Sequence, residues 1–97
     1  VTTMLYHNKL YFEEDDFDGF IDRLGQRNDI QYIGDGVKEA GWGQRTVRFY
    51  DLDGHIIEVG ENMKMVVKRF IHSGMSMEET SRRMDVSVSD LEKLLQS

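Results

Sequence analysis

Leu10 and Phe12 alternate with Lys9, Tyr11 and Glu13, the period-2 pattern of a half-buried strand, and predict one strand from Leu5 to Glu14. Glu14, Asp15 and Asp16 break it, and one of the two aspartates is placed to cap a helix whose positive N-terminal end favours acidic residues. That helix is expected over Phe17 to Arg27, with Phe17, Phe20, Ile21 and Leu24 on one face. A second strand starts at Ile30 to Ile33, in a stretch punctuated by Gly34, Gly36 and Gly41. A third covers Gln44 to Tyr50, where Thr46, Arg48 and Tyr50 alternate against Val47 and Phe49. Asp51-Leu52-Asp53-Gly54 is a turn, with Asp-Gly supplying the local hydrogen bond and the left-handed position. A fourth strand follows over His55 to Gly60.

After Asn62 the period lengthens to that of helices. Met63, Val66, Val67, Phe70 and Ile71 share one side of a helix over Met63 to His72, which Ser73-Gly74 stops. Ser76 with Glu79 three residues on is a capping box for a second helix ending near Met84. Ser87 or Ser89 opens a third, with Leu91, Leu94 and Leu95 as its apolar positions. The fold class is therefore α+β: a single βαβββ module over residues 1–61, then a helical tail over 62–97 that resembles a helix-turn-helix.

The module's apolar strand faces pack on its one helix. The other sheet face carries Lys9, Tyr11, Glu13, Thr46, Arg48, Tyr50 and Glu58. One helix cannot cover both faces, so this polar, aromatic face meets water or lines a cavity completed by another module.

Charge sharpens the division at Asn62. The overall net charge is −6; residues 1–61 hold six basic and thirteen acidic residues, whereas residues 62–97 hold six and five. Neither part is basic enough for strong non-specific binding to nucleic acid. The last helix offers Asp90, Glu92 and only Lys93, a poor set for reading bases, so nucleic acid is not the expected partner. The chain has 97 residues and no cysteine, so no disulfide supports so small a module. It has no apolar run of membrane-spanning length and no secretory signal pattern, so a soluble cytoplasmic protein is expected, with no membrane partner. The start at Val1 points to a fragment or a processed chain.

Residues 41–60, GWGQRTVRFYDLDGHIIEVG, combine an aromatic strand, Asp-x-Asp-Gly, and a strand carrying Glu58 three residues after His55. With the strand and helix over residues 10–24, they resemble a module of the glyoxalase/bleomycin-resistance/dioxygenase (vicinal oxygen chelate) superfamily; Leu52 stands where that turn commonly has Pro. The resemblance covers about Leu5 to Glu61. It implies that two modules pair into a cup, so that a homodimer or an additional N-terminal module completes the site. It also implies a divalent metal (Ni, Zn, Co, Mn or Fe) that polarises the vicinal oxygens of a small molecule in lyases, dioxygenases and epimerases. Other members bind or sequester a small molecule, as in resistance proteins, with no catalytic metal.

Carried over, the resemblance makes Glu58 the last-strand metal ligand and catalytic carboxylate. The first-strand ligand is usually His. A gapless alignment through Asp16-Phe17-Asp18 places Lys9 there, and His7, two residues away with suitable chemistry, is the candidate second ligand. Tyr11, Trp42, Arg48 and Tyr50 are the candidate ligand-binding residues. The alternatives are a solvent-facing row with Glu58 paired to Arg48, and Trp42 as a plug at an interface. Three functions follow: a metal-dependent enzyme of the lyase or dioxygenase type, a metal-free small-molecule-binding module, and a regulator using its tail for protein or DNA binding.

Overall fold

The structure, a computed structural model, describes the backbone of residues 3–6 and 9–97, and side chains from Lys9 onward. In chain order the elements are β1 (Thr3–Tyr6), β2 (Lys9–Glu14), α1 (Phe17–Gly25), β3 (Lys38–Glu39), β4 (Arg45–Tyr50), β5 (Ile56–Glu61), α2 (Met63–His72), α3 (Met77–Met84) and α4 (Val88–Gln96). The sheet order is β1-β2-β5-β4-β3, with β2 and β5 parallel and the other pairs antiparallel. The fold is α+β, a βαβββ unit (β2, α1, β3, β4, β5) with C-terminal helices.

Two strand expectations need correction. The single strand expected over Leu5 to Glu14 is two strands: Tyr6 pairs with Lys9 and Thr3 with Phe12, so the chain reverses between Tyr6 and Lys9. Period-2 alternation has no direction and cannot reveal such a reversal. The strand expected over Ile30 to Ile33 is reduced to a Tyr32–Phe49 bridge flanked by two backbone bonds, Ile33 N–H to Arg48 O and Tyr50 N–H to Gln31 O, both 3.0 Å. The left-handed backbone at Gly34 and Gly36 turns the chain away, and pairing with β4 resumes at Lys38.

The helix-facing side of the sheet buries Val47 and Val59 under Phe17 and Leu24 of α1, with Phe12, Phe20, Ile30, Phe49 and Ile57 around them. Asp16 caps α1 by accepting from Gly19 N–H at 3.1 Å. A second core lies among the tail helices, where Val66, Val67, Phe70, Met84 and Leu91 are buried and Met63 and Met77 pack on them. The Ser76–Glu79 capping box forms, and Asp85 in left-handed conformation ends α3 and turns the chain toward α4.

The tail is fastened to the end of the sheet and leaves its polar face open. Arg69 donates to Gly43 O (2.6 Å) and to both carboxylate oxygens of Glu61. Arg83 donates to Gly41 O (2.6 Å) and to Glu39 (2.7 Å). Phe70 lies under both guanidinium groups and against Gly43, where a Cβ would come within 2.5 Å of its ring.

Candidate functional site on the open sheet face

The register sets the polar face in rows. Tyr11, Glu58 and Arg48 stand side by side across β2, β5 and β4; Lys9, Ile56 and Tyr50 form the next row; Glu13, Gly60, Thr46 and Lys38 form the row on the other side. The alternation anticipated for this face is therefore present, and Tyr11, Arg48, Tyr50 and Glu58 are brought together on it. Trp42 joins at the end of the β4 row through the loop before that strand.

Two polar networks organise the face. In the first, Trp42 Nε1–H donates to Gln44 Oε1 (3.1 Å), Gln44 Nε2 donates to the Tyr11 hydroxyl (2.9 Å), and Tyr11 donates to Glu13 Oε2 (3.2 Å). Gln44 is buried and also donates to Glu61 O at 2.9 Å. This crossing is possible because position 60 is Gly: a Cβ there would lie 2.6 Å from the Tyr11 hydroxyl and 2.8 Å from Gln44 Nε2. Burial and the neighbouring Glu13 carboxylate raise the Tyr11 phenol against the lowering effect of Gln44, so it stays a proton donor. Trp42 keeps 49% of its surface exposed and Tyr50 37%, so both rings are accessible.

The second network centres on Glu58, whose side chain is 12% exposed. Its Oε1 accepts from Lys9 Nζ at 3.1 Å and from Arg48 Nε at 2.5 Å. Two cations thus share one carboxylate oxygen. A metal bound there would sit close to both, and like charges about 4 Å apart repel by on the order of 4 kcal/mol per unit charge near a protein surface. Lys9, a cation itself, occupies the first-strand position. The described residues around Glu58 therefore do not fit a divalent metal. His7, the expected second ligand, lies outside the described residues.

Among the described residues, one other set of potential ligands converges: Asp51, Asp53 and His55, in the β4–β5 turn. The turn itself explains it. Asp51 Oδ1 accepts from Asp53 N–H (2.9 Å) and His55 N–H (2.8 Å), and Oδ2 lies 3.2 Å from His55 Nδ1. These bonds, the His55 backbone first, lower the Asp51 carboxyl below its ordinary value.

Sequence reasoning missed Glu61. The expected fourth strand stops at Gly60 and leaves Glu61 only as the last residue of the module, yet Glu61 closes β5, its side chain is 3% exposed, and it is held by Arg45 and Arg69, with Arg45 reaching on to Asp18 at 2.9 Å. Burial opposes its ionisation, but hydrogen bonds from Arg69 and Arg45 together outweigh burial and lower its carboxyl below the ordinary value. The available signal was a charge in phase with Ile57 and Val59, on the apolar face. A crevice of about 630 Å³ opens beside this cluster between the start of α1 and α2. Four of the charged groups that line it, Asp18, Arg45, Glu61 and Arg69, are paired with one another.

A mixed sheet with β2 and β5 parallel, one covering helix and an open polar face defines a half-cup module of the vicinal oxygen chelate type. The family model for the glyoxalase-like domain matches residues 2–64, and the chain belongs to that family. No curated protein matches the chain. A solved structure described as a protein of unknown function from Agrobacterium tumefaciens str. C58 is 43% identical, over 55% of this chain and 40% of that one, with a TM-score of 0.48. The chain thus spans well under half the length of that protein. Among the described residues, no helix is long and apolar enough to cross a membrane.

Proposed function

We propose that this glyoxalase-like module binds a small organic molecule on its open sheet face, without a metal at Glu58. The observation that carries this reading is the placement of Glu58 between Lys9 and Arg48. The carboxylate that would hold a metal instead fixes two cations. Glu58 then acts as a positioning group for Arg48, while Tyr11, Trp42 and Tyr50 supply ring faces and edges for an aromatic or otherwise flat ligand. A second copy of the module, or another module, closes the cup over this face, since among the described residues the tail helices pack elsewhere. Residues 1–61 serve as the binding module and 62–97 as an appendage. Its last helix exposes Asp90 and Glu92, and Arg83 is engaged by Glu39 and Gly41, which disfavours a nucleic-acid role.

Trp42 is the sole tryptophan, so its emission reports on the face directly. Titration with a set of aromatic fragments is expected to change Trp42 emission and to shift the Trp42 indole and Gln44 side-chain amide signals in NMR spectra. Gln44→Ala, which removes the link between Trp42 and Tyr11, is expected to weaken binding several-fold. Fragments that shift only signals of the α1–α2 crevice would contradict the assignment of the face.

A further inference from the structure

We propose that the open face carries an oxyanion subsite formed by Lys38, Thr46 and Arg48, and that the bound molecule bears a carboxylate or phosphate group joined to a ring or other apolar body. The inference rests on the small-molecule reading above and deepens it. Lys38 and Thr46 are cross-strand partners, and Arg48 is the next residue on the same face of β4. With Ile33 and Gly36 they line a pocket of about 250 Å³, sized for an anionic head group rather than a whole ligand.

The charges in this pocket are unbalanced. Arg48 is bound to Glu58 through Nε, both terminal nitrogens are without a hydrogen-bond partner among the described residues, and its side chain is 53% exposed. No hydrogen bond or ion pair engages the Lys38 ammonium among the described residues. Glu58 lies behind Arg48 and fixes its orientation, so the guanidinium does not have to be ordered on binding. The terminal nitrogens of a guanidinium suit a two-oxygen acceptor, Lys38 adds a point charge, and the Thr46 hydroxyl donates a third bond. In a chain with net charge −6, Lys38, which has no acidic partner among the described residues, stands beside Arg48, whose one acidic partner is Glu58, and the two cations make the pocket mouth a local reversal of sign. Tyr50 follows Arg48 on the same face, roughly 7 Å along the strand, and gives an apolar body a surface to lie on.

The test is NMR titration of the full chain with benzoate, phenyl phosphate and the neutral isostere benzamide, repeated with Lys38→Gln and Thr46→Val. The subsite predicts that the anions shift Lys38, Thr46 and Arg48 signals and bind at least about tenfold tighter than benzamide. It also predicts that Lys38→Gln removes most of that preference while its spectrum stays folded. Tighter binding of benzoate identifies a carboxylate site, and tighter binding of phenyl phosphate a phosphate site. Equal binding of benzamide and the anions, with shifts at Trp42 and Tyr11 only, would overturn the subsite and leave the small-molecule reading standing. No shift on this face with any probe would overturn both.

Discussion

Removing the Glu61 carboxylate would leave Arg45 and Arg69 facing each other across the junction of sheet and tail, with Arg45 still tied to Asp18. Loss of one partner from a fully buried pair costs about 3–5 kcal/mol. Arg45 and Arg69 keep 24% and 30% exposure, so Glu61→Gln is expected to cost less, roughly 2–3 kcal/mol in denaturant unfolding. The sign of the pH effect follows from the lowered carboxyl. A carboxyl held below its unfolded value, about 4.3, stabilises the fold above that pH and loses the contribution as pH falls through the folded value. Stability should therefore drop below about pH 4.5, and the drop should be shallower in Glu61→Gln, as acid titration of both proteins followed by circular dichroism will show. At this scale the sequence was legible where alternation alone decides: Tyr11, Arg48, Tyr50 and Glu58 fall on the polar face as expected. It was not legible where a bond partner decides. Nothing in the spacing joins Lys9 to Glu58, or Glu61 to Arg69.

Local chemistry fixed the helices well. Met63–His72 has the bounds expected, and Ser76 and Ser87 cap α3 and α4 because their side chains accept from backbone N–H groups three residues on. Ser76→Ala should lower stability by about 0.5–2 kcal/mol, the usual cost of losing such a cap, with Ser76→Gly closer to the parent. Strands were less legible because their partners are distant in the chain. The reversal between Tyr6 and Lys9 and the short pairing at Lys38–Glu39 depend on which strand lies alongside. The loop ahead of β4 is set by Gly43, which combines a left-handed backbone (φ 92°) with the close approach of Phe70. Gly43→Ala meets both constraints at once. It should destabilise by more than 2 kcal/mol and also disturb Trp42 emission, since Trp42 is its neighbour.

At the scale of the whole molecule, the described residues form two apolar clusters, one between the sheet and α1 and one among the tail helices, joined by Glu61, Arg69 and Arg83. If this junction couples them, hydrogen exchange in Arg69→Ala should rise in both clusters, whereas a tail that folds apart would show the rise in residues 62–97 alone. The open face predicts association as well. Sedimentation of the full chain should give about twice the 11.3 kDa of one copy, with dissociation favoured by Arg48→Glu. The α+β class and the family were legible from the order of elements and the Asp-x-Asp-Gly turn. The chemistry of the face was legible only in part: the Arg48–Glu58 pair was among the readings of the cross-strand row, whereas the contact of Lys9 with the same carboxylate was not. The decisive measurement is calorimetric titration of metal-stripped protein and Glu58→Gln with Ni²⁺, Co²⁺ and Zn²⁺. The cation-clamped carboxylate predicts no stoichiometric binding tighter than about millimolar and no difference between the two proteins, a range in which association free energy is only about −4 kcal/mol. Tight one-to-one binding that is lost in Glu58→Gln would contradict the metal-free site and restore a chelate mechanism.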